Sequence, residues 1–143
     1  MLIRAQNFTH GNAVGSLIAL SAPLSLWGGF DTKSGKIIDQ HHPQHGISIA
    51  QKIVAMPYAR GSSSSSSALL EAARLGNAPA AFIMTRADPI LTIGALLADE
   101  IYQKKICILV IPQADWCHLG HAKWANILPT GSPKTVDIRV SRI

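Results

Sequence analysis

The 143 residues suffice for one domain with its own core, and 48% of them are hydrophobic, so a partner is expected to cover part of the apolar surface. The net charge of +5 is spread over scattered Lys and Arg with no interleaved aromatic run, so no nucleic-acid partner is expected and an acidic small molecule fits as well. Two cysteines form no disulfide framework, and neither a signal-peptide core nor the ~18 uninterrupted apolar residues of a membrane span is present, so a cytoplasmic protein with no membrane partner is expected.

In the first fifty residues, Leu2–Ile3, Ala13–Ala22 and Ile47–Ala50 are β-like pieces punctuated by Gly11, Gly15, Pro23, Gly28, Gly29, Gly35, Pro43 and Gly46. They predict short strands and turns forming a second β layer or a barrel edge. From Lys52 the pattern becomes regular. Lys52–Tyr58 is a short apolar strand, and Ala68–Leu75 is a helix with Leu69, Ala72, Ala73 and Gly76 on one face, stopped at Gly76-Asn77. Ala80–Thr85 is a second apolar strand. Asp88 and Pro89 then suit the N-cap and first position of another helix. Its inner stripe is expected to hold Ile90, Ile93, Gly94, Leu97 and Ile101. Lys105–Ile111 is a third apolar strand, and Thr135–Val140 alternates as a final one.

The chain therefore reads as a single α/β domain over 1–143, built on a central parallel βαβαβ unit with right-handed crossovers. The two helices are expected to pack through their small-residue faces. Apart from its last strand, the segment 113–143 has no assigned place.

In an open parallel sheet, ligands sit beyond the C-terminal strand ends. Three loops qualify: Arg60–Ser64, Arg86–Asp88 and Gln113–Asp115. The first leads into six consecutive serines, Ser62–Ser67. A Gly/Ser run is a flexible linker in isolation, but between a strand and a helix that must pack together it reads as a short, structured turn. Gly61 permits an unusual backbone conformation. The serines offer amides and hydroxyls, the helix N-terminus adds about half a positive charge, and Arg60 adds a full one, together a pocket for carboxylate or phosphate. A serine here could act as a base only if its alkoxide were held by N–H dipoles and a cation away from water. Ser62 and Ser63 lie nearest the loop, whereas Ser65–Ser67 belong to the first helical turn. The simpler reading is that the serines only cap the helix and solvate the loop.

No metal site is expected. His41, His42 and His45 suit a Pro/Gly turn, since Cys or carboxylate companions at ligand spacing are absent, and Cys117, His118 and His121 lack an evident fourth ligand. Cys107, inside ICILVI, is expected to be a buried thiol.

Several strings are collinear with one known family. LSLWGGFD (24–31), TKSGKIID (32–39), HPQHG (42–46), RGSS (60–63), LLEA (69–72), APAA (78–81) and DPIL (88–91) with Gly94-Ala95 resemble the small subunit, or swivelling domain, of the aconitase X family. The resemblance runs from about Gly15 to about Ile111. It implies a swivelling β/β/α domain, a cytosolic dehydratase assembled with a larger subunit that carries the iron–sulfur cluster, and no cofactor on this chain. It also implies a loop serine as the proton-abstracting base, a role that falls on Ser62, with Arg60, Gly61, Ser63 and Ser64 as substrate contacts. Family activities are dehydration of cis-3-hydroxy-L-proline and of phosphorylated mevalonate, and the turn His41-His42-Pro43 resembles the hydroxyproline type. Two features depart from the pattern: the monotonous serine run leaves the register open by one position, and Trp116–Trp124 with the tail to Ile143 matches nothing recognised. A non-catalytic anion-binding module and a purely structural interaction subunit are the readings of another class.

Overall fold

The computed structural model describes residues 1–142. Its strands are β1 (Leu2–Asn7), β2 (Val14–Ala19), β3 (Leu24–Ser25), β4 (Ile53–Ala55), β5 (Ala59–Arg60), β6 (Ala81–Met84), β7 (Cys107–Val110), β8 (Trp124–Pro129) and β9 (Thr135–Ser141). The helices are α1 (Leu26–Gly29, a single kinked turn), α2 (Ser65–Leu75) and α3 (Pro89–Tyr102), with a 3-10 segment at Gln113–His118. None of them is long and apolar enough to cross a membrane among the described residues.

The βαβαβ unit is present as β4-α2-β6-α3-β7, with β4–β6 and β6–β7 paired in parallel. Both helix ends follow their sequence signals. Asp88 Oδ1 accepts from the Leu91 N–H at 2.9 Å ahead of Pro89. Gly76 closes α2 in the left-handed region, and the Asn77 N–H reaches the Ala72 carbonyl at 2.8 Å.

The expected second β layer is not separate. β2 pairs in parallel with β4, β8 and β9 form an antiparallel pair, and β1 joins β9 to β7, closing a seven-stranded barrel in the order β1-β7-β6-β4-β2-β8-β9. The reason lies in the strands that are apolar on both faces. Val54, Met56, Phe82, Met84 and Ile108 face the helices. Their neighbours Ile53, Ala55, Ala81, Ile83, Cys107 and Leu109 instead meet Ile3, Leu17, Ala125, Ile127, Val136 and Ile138 from the rest of the barrel. The second cover is the barrel's own opposite wall rather than another layer. The one other sheet among the described residues is the two-residue parallel pair β3–β5. Ile47–Ala50 is β-like only as an isolated antiparallel bridge: Ser48 pairs with Lys36, the Ile37 N–H donates to the Ile47 carbonyl at 2.9 Å and the Ile49 N–H to the Gly35 carbonyl at 2.8 Å, while Ile49 is fully buried against the helix side.

Helix α3 is rotated from the expected stripe. Leu91, Gly94, Ala95 and Ala98 are buried, while Ile93, Leu97 and Ile101 are exposed. Closeness decides this. A Cβ on Gly94 would stand 3.0 Å from the Ser66 carbonyl oxygen and 3.1 Å from its Cα, so α3 turns its small residues to α2 and leaves its large aliphatics outside.

Cys107 is 1% exposed inside the barrel, and burial pushes its thiol from 9.0 up to about 11. The unfolded chain ionises this thiol at lower pH than the folded one. The folded state thus binds more protons between those values, and stability is expected to fall as pH rises from 9.0 to about 11. Iodoacetamide at neutral pH should label only the exposed Cys117 in the native protein and both thiols in denaturant. Rapid labelling of both thiols without denaturant would show the barrel to be open.

Candidate active site

The parallel strands β4 and β6 deliver two loops side by side. Their register pairs Ala55 with Ile83. Three residues further on, Arg86 lies over the Tyr58 ring at 3.9 Å from its centroid. Thr85 ties the loops together, its N–H and hydroxyl both donating to the Pro57 carbonyl, at 3.0 and 2.8 Å. The Tyr58–Arg86 pair was legible only through strand register, because neither residue belongs to a motif.

Arg60 ends β5 and is exposed, with no ion pair among the described residues. Gly61 follows at φ +128, and a Cβ there would stand 2.3 Å from Ser25 Oγ and 3.0 Å from Ser65 Oγ. Ser62 is exposed, and its Oγ accepts from the Ser64 N–H at 3.2 Å while its carbonyl accepts from the Ser65 N–H at 3.0 Å. Ser63 is exposed, and its carbonyl accepts from the Ser66 hydroxyl at 2.9 Å. Ser64 occupies the N-cap of α2 in helical conformation, and its hydroxyl does not cap. The helix starts at Ser65, so Ser65–Ser67 form its first turn as expected, ahead of the periodic stretch from Ala68.

A cavity of about 40 Å³ lies under this turn, lined by Ala59, Arg60, Gly61, Ser62, Ser65, Asp88, Ile90 and Leu91. A larger hollow of about 260 Å³ adjoins it between Tyr58, Arg86 and Asp88. Of the expected site residues, the structure brings Arg60, Gly61 and Ser62 to the small cavity, whereas Ser63 and Ser64 stand outside its lining. Gln113–Asp115, the third candidate loop, contributes to neither hollow. Its 3-10 segment leads instead to Leu119, which is fully buried against the barrel interior. Chemically, the turn offers a hydroxyl already accepting from a main-chain amide, an exposed arginine two residues before it in the same cavity lining and a helix N-terminus three residues after it.

The histidine turn is structural. His42 is buried, its Nε2 3.0 Å from the Ala22 carbonyl and its Nδ1 accepting from the Gln44 N–H at 3.0 Å, which makes Nε2 the protonated nitrogen. His41, His45, Cys117, His118 and His121 are exposed. Among the described residues no three His, Cys, Asp or Glu side chains converge to hold a metal.

The family model of the aconitase X swivel domain matches residues 2–136, a wider span than the strings from Gly15 to Ile111. The cis-3-hydroxy-L-proline dehydratase of Hypocrea jecorina is 39% identical over 131 residues, 92% of this chain and 22% of that enzyme. The phosphomevalonate dehydratase small subunit of Methanothermobacter thermautotrophicus is 37% identical over 98 residues, 68% of this chain and 75% of that subunit. The crystal structure of Thermococcus kodakaraensis aconitase X in its holo-form shares the fold, with a TM-score of 0.79 over 99% of this chain and 98% of that one at 23% identity. The chain spans about a fifth of the length of the hydroxyproline dehydratases it matches.

Proposed function

The chain belongs to the aconitase X swivel-domain family, and from that premise we propose that it is the small, swivelling part of a hydro-lyase that dehydrates a small hydroxy acid. Ser62 is the proton-abstracting base. Arg60 and the amides around Gly61 hold the carboxylate or phosphate of the substrate, and Ser63 and Ser64 contact it from the lip of the turn. The observation that carries this reading is the Ser62 hydroxyl, set at a cavity mouth between Arg60 and the N-terminus of α2 with the Ser64 amide aimed at its oxygen. That amide and the two positive ends favour negative charge on Ser62 Oγ, which is what a serine base requires.

The substrate sits between this domain and a larger partner subunit, and the iron–sulfur cluster belongs to that partner. No residue of this chain is assigned to the cluster, and this domain alone is half a site. Ile93, Leu97 and Ile101, exposed along one face of α3, are apolar surface of the kind a partner covers. The enzyme works in the cytoplasm.

Between the family's substrates, cis-3-hydroxy-L-proline is favoured, because the hydroxyproline dehydratase match covers 92% of this chain and the small-subunit match 68%. Phosphorylated mevalonate is the second reading. Co-expression with the larger subunit, followed by assay on both compounds, tests the proposal. Turnover of cis-3-hydroxy-L-proline by the complex and none by this chain alone is the expected result. Preference for phosphorylated mevalonate would move the assignment to the second reading. Inertness of the assembled complex toward both would leave the anion-binding module standing instead.

A further inference from the structure

Arg86 and Asp88 bring opposite charges to one hollow of about 260 Å³, yet they do not pair with each other. The ion pairs among the described residues are Arg4–Asp137, Arg74–Glu71 and Lys105–Asp99. Each of the two is held by something else. Arg86 lies on Tyr58, its Cζ 3.9 Å from the ring centroid, and its N–H groups have no acceptor among the described residues. Asp88 Oδ1 accepts from the Leu91 N–H at 2.9 Å, and Oδ2 has no partner among the described residues. The two Thr85 bonds to the Pro57 carbonyl tie together the strand ends from which Tyr58 and Arg86 follow. The hollow also continues into the site: Ala59 and Asp88 line both it and the small cavity of Arg60 and Ser62.

Two charges kept apart in one hollow, each with hydrogen-bonding capacity unspent, match a ligand that carries both charges itself. A guanidinium whose fork is not used by a neighbouring carboxylate suits a planar carboxylate, and a half-used carboxylate suits an ammonium. A phosphate in the same place would meet the like charge of Asp88. We propose that Arg86 and Asp88 form a subsite for the charged head of an α-amino acid, Arg86 taking the carboxylate of cis-3-hydroxy-L-proline and Asp88 its ring ammonium. The inference rests on that substrate reading of the proposed dehydratase. In an α-amino acid the carboxylate, the ammonium and the α-hydrogen share one carbon. A head bound at the border of the two hollows therefore turns its α-hydrogen toward Ser62, with Arg60 meeting the carboxylate from the other side. Tyr58 is a positioning residue that acts through Arg86: the ring face settles the cation while its donors stay available for the ligand.

The test uses the proposed two-subunit enzyme, assembled by co-expression, with cis-3-hydroxy-L-proline as substrate. Two competitive probes of the same ring size accompany it: L-proline, and tetrahydrofuran-2-carboxylate, which keeps the carboxylate and lacks the ammonium. The wild-type enzyme is expected to bind L-proline about tenfold more tightly than the oxygen analogue, or better. Asp88→Asn keeps the α3 cap, since Asn caps as well as Asp. It should raise KM about tenfold and abolish the preference for L-proline. Arg86→Ala should raise KM about 10–100-fold and weaken both probes alike, leaving the preference intact. Tyr58→Leu should raise KM a few-fold. A merely loosened loop would weaken both probes in every variant and would not produce two different patterns. Arg86 is exposed, so Arg86→Ala is expected to fold, and with the wild-type preference it decides if Asp88→Asn does not fold. An unchanged KM in Arg86→Ala, no wild-type preference, or a preference that survives in Asp88→Asn overturns the subsite and leaves the dehydratase. Turnover of phosphorylated mevalonate with none of cis-3-hydroxy-L-proline overturns the substrate reading and the subsite with it.

Discussion

In the proposed two-subunit dehydratase, Ser62→Ala is expected to lower kcat about 10³-fold or more, while the melting temperature moves by no more than about 2 °C. The two halves of that expectation have separate causes. Ser62 is exposed and its side chain makes one hydrogen bond, accepting from the Ser64 N–H at 3.2 Å, so its removal leaves no cavity in the core. The Ser65 N–H still has the Ser62 carbonyl, a main-chain group that alanine keeps. Loss of the hydroxyl therefore removes the proposed base without removing the turn. Ser63→Ala is the control for register. Ser63 Oγ stands outside the cavity lining and the main-chain role of Ser63 survives in alanine, so kcat near wild type is expected, with KM raised a few-fold by loss of the proposed substrate contact. A collapse of kcat in Ser63→Ala with Ser62→Ala unaffected would shift the base by one residue.

What could be read from the sequence was what depends on local chemistry. The N-cap at Asp88, the left-handed stop at Gly76 and the three apolar strands β4, β6 and β7 all stand where their residues place them. Closure of the barrel was not legible, because it depends on which strands meet across its interior. β8 illustrates this: only Ala125 and Ile127 are fully buried in it, two inward residues between an exposed Trp124 and an exposed Pro129, too weak an alternation to stand out. Its place follows from pairing with β9 and β2. The α3 stripe departs from its hydrophobic period for a related reason. Periodicity weights large aliphatics, whereas the α2–α3 contact selects Gly94, Ala95 and Ala98 for the room they leave. The place of Arg60, Gly61 and Ser62 beside the small cavity was legible from the loop's position, but nothing in a run of six serines marks Ser65 as the buried one. Burial there comes from the packing of Ser25 and Gly61 above it, a tertiary fact.

Gly61→Ala should do the most structural harm to the site for one added methyl. At φ +128 the residue lies where a side chain is strained by about 1–3 kcal/mol on backbone grounds alone. The steric problem adds to it, since the new Cβ would sit 2.3 Å from Ser25 Oγ, well inside van der Waals contact. Ser25 cannot swing aside freely, because its hydroxyl donates to the Trp27 carbonyl at 3.0 Å. On the other side Ser65 Oγ stands 3.0 Å away in a buried position, so relief has to come from movement of the turn itself. That movement carries Ser62, whose backbone is the next link, away from Arg60 and the Ser64 amide. The expected result is a melting temperature lower by about 5–10 °C and, in the proposed two-subunit enzyme, a kcat lower by about 10²-fold from misplacement of the proposed base. Gly61→Ala is also informative beside Ser62→Ala: the first should damage both stability and turnover, the second turnover alone. An alanine at 61 that leaves both at wild-type values would mean that the turn relaxes without moving Ser62, and the requirement for glycine beneath the base would be withdrawn.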